Sequence, residues 1–93
     1  GALVNYDLHL GDSVLCRVKN NFKTTVHTKL EGLNSIWAKT EAKAEIPVDI
    51  KYGKVYYIRC GIGMGFFVGQ PTLELVDSKI GKAEFEAFNA KNQ

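Results

Sequence analysis

Alternation of apolar and polar residues with a period of two is the feature that most constrains this chain. In "LVNYDLHL" (3–10), Val4, Tyr6, Leu8 and Leu10 point one way, and Asn5, Asp7 and His9 point the other. That spacing gives a strand one apolar face and gives a helix none. The pattern recurs in "SVLCRVK" (13–19), where Val14, Cys16 and Val18 oppose Leu15, Arg17 and Lys19. "LNSIWAKT" (33–40) puts Ile36 and Ala38 together with Trp37 opposite, and "EIPVDI" (45–50) groups Ile46, Val48 and Ile50. "KVYYIRC" (54–60) and "TLELVD" (72–77) follow the same rule, and "FKTTVHTKL" (22–30) is rich in the β-branched residues that suit strands.

Turn signals separate these runs: Gly11-Asp12, Asn20-Asn21, Glu31-Gly32 and "KYGK". Asn20-Asn21 is a two-residue hairpin signal, because asparagine tolerates positive φ. Pro47 lies on the phase opposite Ile46 and Val48 and has no N–H to donate, which predicts an edge strand. "EAKAE" (41–45) suits a helix by propensity but is too short to stand as one, so it reads as a polar loop. Only the last stretch changes character. Ala83, Phe85, Ala87, Phe88 and Ala90 recur among helix formers, which predicts a short helix from about Gly81 to Ala90 with Ser78 available as a cap.

A chain of 93 residues suffices for one small domain spanning 1–93. About seven short strands joined by turns predict an all-β fold, a two-sheet antiparallel β-sandwich with a short C-terminal helix, with a small open barrel as the alternative. The expected inward set is Tyr6, Leu8, Val14, Cys16, Val18, Val26, Ile36, Val48, Ile50, Tyr56, Ile58, Leu73 and Leu75.

Charge narrows the partners. Twelve basic residues are scattered among ten acidic ones, a net charge of +2, so no basic patch for nucleic acid is expected. No apolar run approaches the roughly 18–20 residues of a membrane span. Gly1-Ala2 reads as the remnant of a cleaved purification tag.

"YYIRCGIGMGFFVGQP" (56–71) invites a nucleotide-binding reading, because Gly61, Gly63, Gly65 and Gly69 follow a strand. Phosphate loops lead out into a helix whose N–H groups hold the anion, whereas Pro71 here leads into another strand. The spacing also departs from G-x-G-x-x-G and from the P-loop. The glycines are read as a bend or bulge, and no cofactor is expected. Phe66 and Phe67 are adjacent, so on an extended segment they face opposite ways. They either close over the end of the domain or present an aromatic contact for a partner or ligand.

Three further groups are candidates. Asp7 and His9 share a strand face, read either as a solvated polar face or as a carboxylate that orients an imidazole base of a small hydrolase or binds a metal, although no nucleophile can be placed beside them. Tyr57 and Arg59 share a face and would either grip a sugar or carboxylate or pack across strands. Cys16 and Cys60 are two thiols without a metal-binding spacing, to be read as free or paired depending on compartment. No catalytic residue, metal ligand or cofactor-binding residue is assigned.

Taken together, "EGLNSIWAKT", "YGKVYYIRC", "PTLELVD" and "GKAEFE" resemble a bacterial lipoprotein-like family of domains of unknown function, over roughly residues 14–86. The corresponding positions are Gly32, Ile36 and Ala38; Gly53, Tyr56, Tyr57, Ile58 and Arg59; Pro71, Leu73 and Val76; Gly81 and Glu84. The resemblance implies a prealbumin-like or carboxypeptidase-regulatory-like β-sandwich. It also implies export to the cell envelope, as a periplasmic or outer-membrane lipoprotein, with a lipid anchor upstream of these residues giving peripheral membrane association. The function expected is a non-catalytic interaction or structural module of the envelope, with Phe66, Phe67, Tyr57 and Arg59 as the binding residues and an envelope protein or glycan as partner. The alternatives are a carbohydrate-binding module, with Trp37 among its stacking platforms, and a small hydrolase using Asp7 and His9.

Overall fold

The computed structural model describes residues 5–63 and 69–88. Within them lie six strands and one helix: β1 (Tyr6–Leu10), β2 (Ser13–Val18), β3 (Gly32–Lys39), β4 (Lys43–Ile50), β5 (Tyr57–Gly63), β6 (Gln70–Val76) and α1 (Ser78–Ala87). The protein is mostly β. A four-stranded antiparallel sheet has the order β2-β1-β3-β4, and β5 and β6 form a two-stranded antiparallel sheet.

The period-two reading fixes the faces of the larger sheet. Tyr6, Leu8 and Leu10 of β1 and Ile36 and Ala38 of β3 are buried, together with Val18 and Val48. β4 lies at the sheet edge with Pro47 exposed, as its missing N–H requires. From the smaller sheet Ile58, Cys60 and Leu73 pack against this core, as does Tyr56 just before β5. Two polar contacts also join the sheets. The Tyr6 hydroxyl donates to the Gly61 carbonyl at 2.9 Å, and Thr40 Oγ1 donates to the Gly69 carbonyl at 3.0 Å.

Several expectations are corrected. Residues 22–30 form no strand, and all but Phe22 are exposed, Val26 to 42%. Asn21 does adopt the positive φ of 53° that its turn demands, but no hairpin follows. β-Branched residues favour a strand only where a sheet neighbour receives them. Val14 is 58% exposed because β2 carries a bulge: Leu8 opposes Cys16 while His9 opposes Val14, so Leu15 is the extra residue. One inserted residue reverses the facing on its N-terminal side, and Leu15 packs on the core in place of Val14. Leu75, near the end of β6, is 44% exposed. The loop at 41–45 shrinks to a tight connection, with Lys39 already opposite Lys43.

Gly61 and Gly63 belong to β5 itself, opposite Thr72 and Gln70, and not to a loop. A Cβ at Gly61 would come within 2.8 Å of Thr72 Oγ1, so glycine lets the neighbouring threonine lie over the backbone. Gly65, Phe66 and Phe67 lie outside the described residues. The helix begins at Ser78 and not Gly81, because Asp77 caps it: its carboxylate accepts from the N–H groups of Lys79 (3.1 Å) and Ile80 (3.4 Å).

Candidate functional site

The sequence candidates Tyr57/Arg59 and Asp7/His9 fall in two separate places, and the structure adds a third. Tyr57 and Arg59 do share the outward face of β5, and α1 lies over them. Gly81 meets Tyr57 directly, and Phe85 sits edge-on to Tyr57 with ring centroids 6.3 Å apart. The Arg59 guanidinium is held by two carboxylates. Its NH1 bonds Glu74 on β6 at 2.5 Å, Nε bonds Glu84 of the helix at 3.1 Å, and NH2 bonds the second Glu84 oxygen. Those hydrogen bonds, from Glu84 first and Glu74 second, raise the Arg59 pKa further above its ordinary value. The donors that a substrate carboxylate would need are therefore engaged within the chain.

Asp7 and His9 share the outward face of β1 as expected, but each has a different neighbour. Asp7 pairs with Arg17 across β2 at 3.1 Å, while the His9 ring lies parallel to Trp37 with centroids 3.9 Å apart. Trp37 Nε1 donates to the Gly11 carbonyl at 2.8 Å. Lys43 Nζ stands 4.9 Å from the Trp37 ring. His9 reaches the indole from β1 and Lys43 from β4, the two strands that flank β3. Beside them the Ser35 hydroxyl donates to Glu45, which with Lys43 holds that carboxylate below its usual pKa. The outer face is thus a lattice of mutually satisfied side chains.

The third place was not singled out in the sequence. A depression of about 500 Å³ opens where β4 ends, the 51–56 connection turns back and β6 runs into α1. Val55, Tyr56, Leu75 and Val76 supply its apolar wall, and Asp49 and Lys51 line its polar side. Tyr56 is fixed there: its hydroxyl accepts from the Lys51 N–H at 2.8 Å and donates to the Asp49 carbonyl at 3.1 Å. Lys51 and Asp49 form an ion pair at 3.4 Å. The turn that closes this edge needs Gly53, whose φ is 78°, and it leaves Tyr52 89% exposed and Val55 66% exposed. In the sequence Val55 and Leu75 looked like ordinary strand residues, and nothing in their spacing marks them as neighbours.

Among the described residues no group of three or more His, Cys, Asp or Glu side chains is arranged to hold a metal ion. No helix there is long and apolar enough to cross a membrane. No family model, curated protein or solved structure matches this chain, so the resemblance noted in its sequence gains no support from them.

Proposed function

We propose that this protein is a non-catalytic interaction module, and that it meets its partner at the depression between the 51–56 connection and the β6–α1 junction. The observation that carries this reading is the exposure of Val55 beside Leu75 in the depression, with Tyr52 exposed on the turn that closes its edge. Large apolar side chains grouped at one edge and rimmed by charge are the composition of a contact surface, with tyrosine the favoured anchor. The reading that α1 and the outer sheet face serve structure agrees with it, because Arg59, Asp7 and Glu45 are all engaged inside the chain.

The same proposal takes the two sheets as the layers of a β-sandwich around Leu8, Ile36 and Val48, with Ile58 and Leu73 facing them. Proton–proton contacts between the Leu73 and Leu8 methyl groups test that arrangement. Envelope location is part of the proposal and rests on the resemblance alone. The gene upstream of Leu3 tests it, by encoding or lacking a signal segment or lipobox cysteine.

A carbohydrate-binding role is the weaker reading, because Trp37 is approached by His9 from one flanking strand and Lys43 from the other. A hydrolase is weaker still, because Asp7 is paired with Arg17 and His9 is stacked on Trp37. The deciding experiment is capture from envelope extract with wild type and a Tyr52→Ser/Val55→Asp variant of equal stability. Loss of the same partners in the variant supports the proposal. Their undiminished recovery refutes this surface as the contact.

A further inference from the structure

Cys16 and Cys60 are far apart in sequence and lie in different sheets, yet Tyr6 brings them to one place. On β1, Tyr6 and Leu8 are successive inward residues opposite Val18 and Cys16. Cys16 therefore sits diagonally across from Tyr6 on the core side of β2. The Tyr6 side chain spans the core and donates to the carbonyl of Gly61, the residue after Cys60. Cys60 turns inward on β5, and both cysteines pack against the buried cluster that contains Tyr6. The Tyr6 hydroxyl meets the Cys60 thiol, and Cys60 lies close enough to Cys16 to feel its charge. Neither is bonded to anything covalently. Cys60 is also reachable: an open depression of about 360 Å³ is lined by Cys60, Thr72, Leu73 and Glu74.

We infer that Cys16 and Cys60 are a modification site, forming an intramolecular disulfide that ties β2 to β5 when the protein meets a small-molecule disulfide oxidant. The Cys60 sulfur loses its proton and attacks one sulfur of the oxidant. The oxidant's S–S bond breaks, and its other half leaves with the electron pair and takes up a proton as a free thiol. Cys16 then attacks Cys60 Sγ, the mixed disulfide breaks, and the second half leaves in the same way. Two protein thiols have lost two electrons and two protons, and the oxidant has become two thiols. Burial, and then the neighbouring Cys16, push the Cys60 thiol up to about 11, so little thiolate is present at neutral pH. The bridge consequently forms slowly and needs oxidant in excess. Once formed it restrains the unfolded chain by closing a long loop, and it holds the β5–β6 sheet to the edge strand of the larger one.

The test is incubation of the folded wild-type chain with excess oxidised glutathione, followed by intact mass and non-reducing peptide mapping. The expected result is the joint loss of both free thiols, no retained glutathione, a Cys16–Cys60 cross-linked peptide and a higher denaturant midpoint that dithiothreitol reverses. In Cys16→Ser the resolving thiol is gone, so one glutathione should stay trapped on Cys60. Two retained glutathiones on wild type, disulfide-linked dimers, or unreacted thiols would overturn the inference. If the variant fails to fold, the wild-type peptide map decides alone.

Discussion

Gly81 shows how a single missing Cβ sets the position of a whole element. It is the one buried residue of α1, and a methyl group there would run into Cβ and Cγ of Tyr57. Helix propensity alone favours alanine over glycine by about 1 kcal/mol. Overlap with a strand side chain that the helix itself traps costs about 1–3 kcal/mol, so the clash outweighs the propensity. Gly81→Ala should therefore destabilise the protein, read as a lower urea midpoint; a rise would mean that α1 is not seated on Tyr57. The buried polar groups give a second prediction. Burial, above all, raises Tyr6 and Cys60, the latter from 9.0 to about 11. Below the unfolded-state value both states hold the thiol proton, and that contribution to stability is complete. As pH climbs from 9.0 toward about 11 the unfolded chain releases the proton first, so stability falls through that window. Midpoints at about pH 8 and about pH 10.5 should differ less in Cys60→Val than in wild type. An unchanged difference would remove Cys60 as the cause.

Among the elements, α1 depends on its cap and the strands depend on their neighbours. Asp77→Ala deprives the Lys79 and Ile80 N–H groups of their acceptor and should cost about 1 kcal/mol, with Asp77→Asn close to wild type. Equal midpoints for all three would show that docking on β5 alone holds the helix. Such partners also explain which elements were legible in the sequence. β1, β3 and β4 were, because burying one face of a strand writes a period of two into it. The start of β2 was not, because the bulge at Leu15 reverses the phase of Val14 and leaves no local signature. Residues 22–30 have strand propensity without an alternating apolar face. Gly61 and Gly63 looked like a loop, and only Thr72 on the facing strand explains them. The helix start was misplaced by reading Ser78 as the cap when the residue before it does the work.

Across the whole molecule, the sequence made local pairs visible and left tertiary neighbours hidden. Tyr57 and Arg59 could be put on one face by counting. That α1 would fold back over them, with Glu84 reaching Arg59, could not, since no spacing rule links the two segments. Val55 and Leu75 became a shared surface only when the chain closed on itself, and the same is true of Cys16 and Cys60. The segment between β2 and β3 tests how far this architecture extends. β2 is the outer strand of its sheet, and residues 23–31, which connect it to β3, are exposed. They are fastened by Lys23, whose Nζ donates to the Phe85 carbonyl at 2.7 Å and lies 4.7 Å from the Phe85 ring. Local hydrogen bonding adds the Leu30 N–H to Thr28 Oγ1 at 3.1 Å. Backbone amides without sheet partners exchange with solvent quickly, and the interior strands of a sheet exchange slowest. Amides 24–29 should accordingly exchange far faster than those of Leu8, Leu10 and Ile36, and trypsin should cut first at Lys29 while the remainder stays folded. Protection of 24–29 comparable to that of β2 would reverse the conclusion. It would mean that these residues pair along the outer edge of β2, and that the chain has the seventh strand its β-branched run predicts.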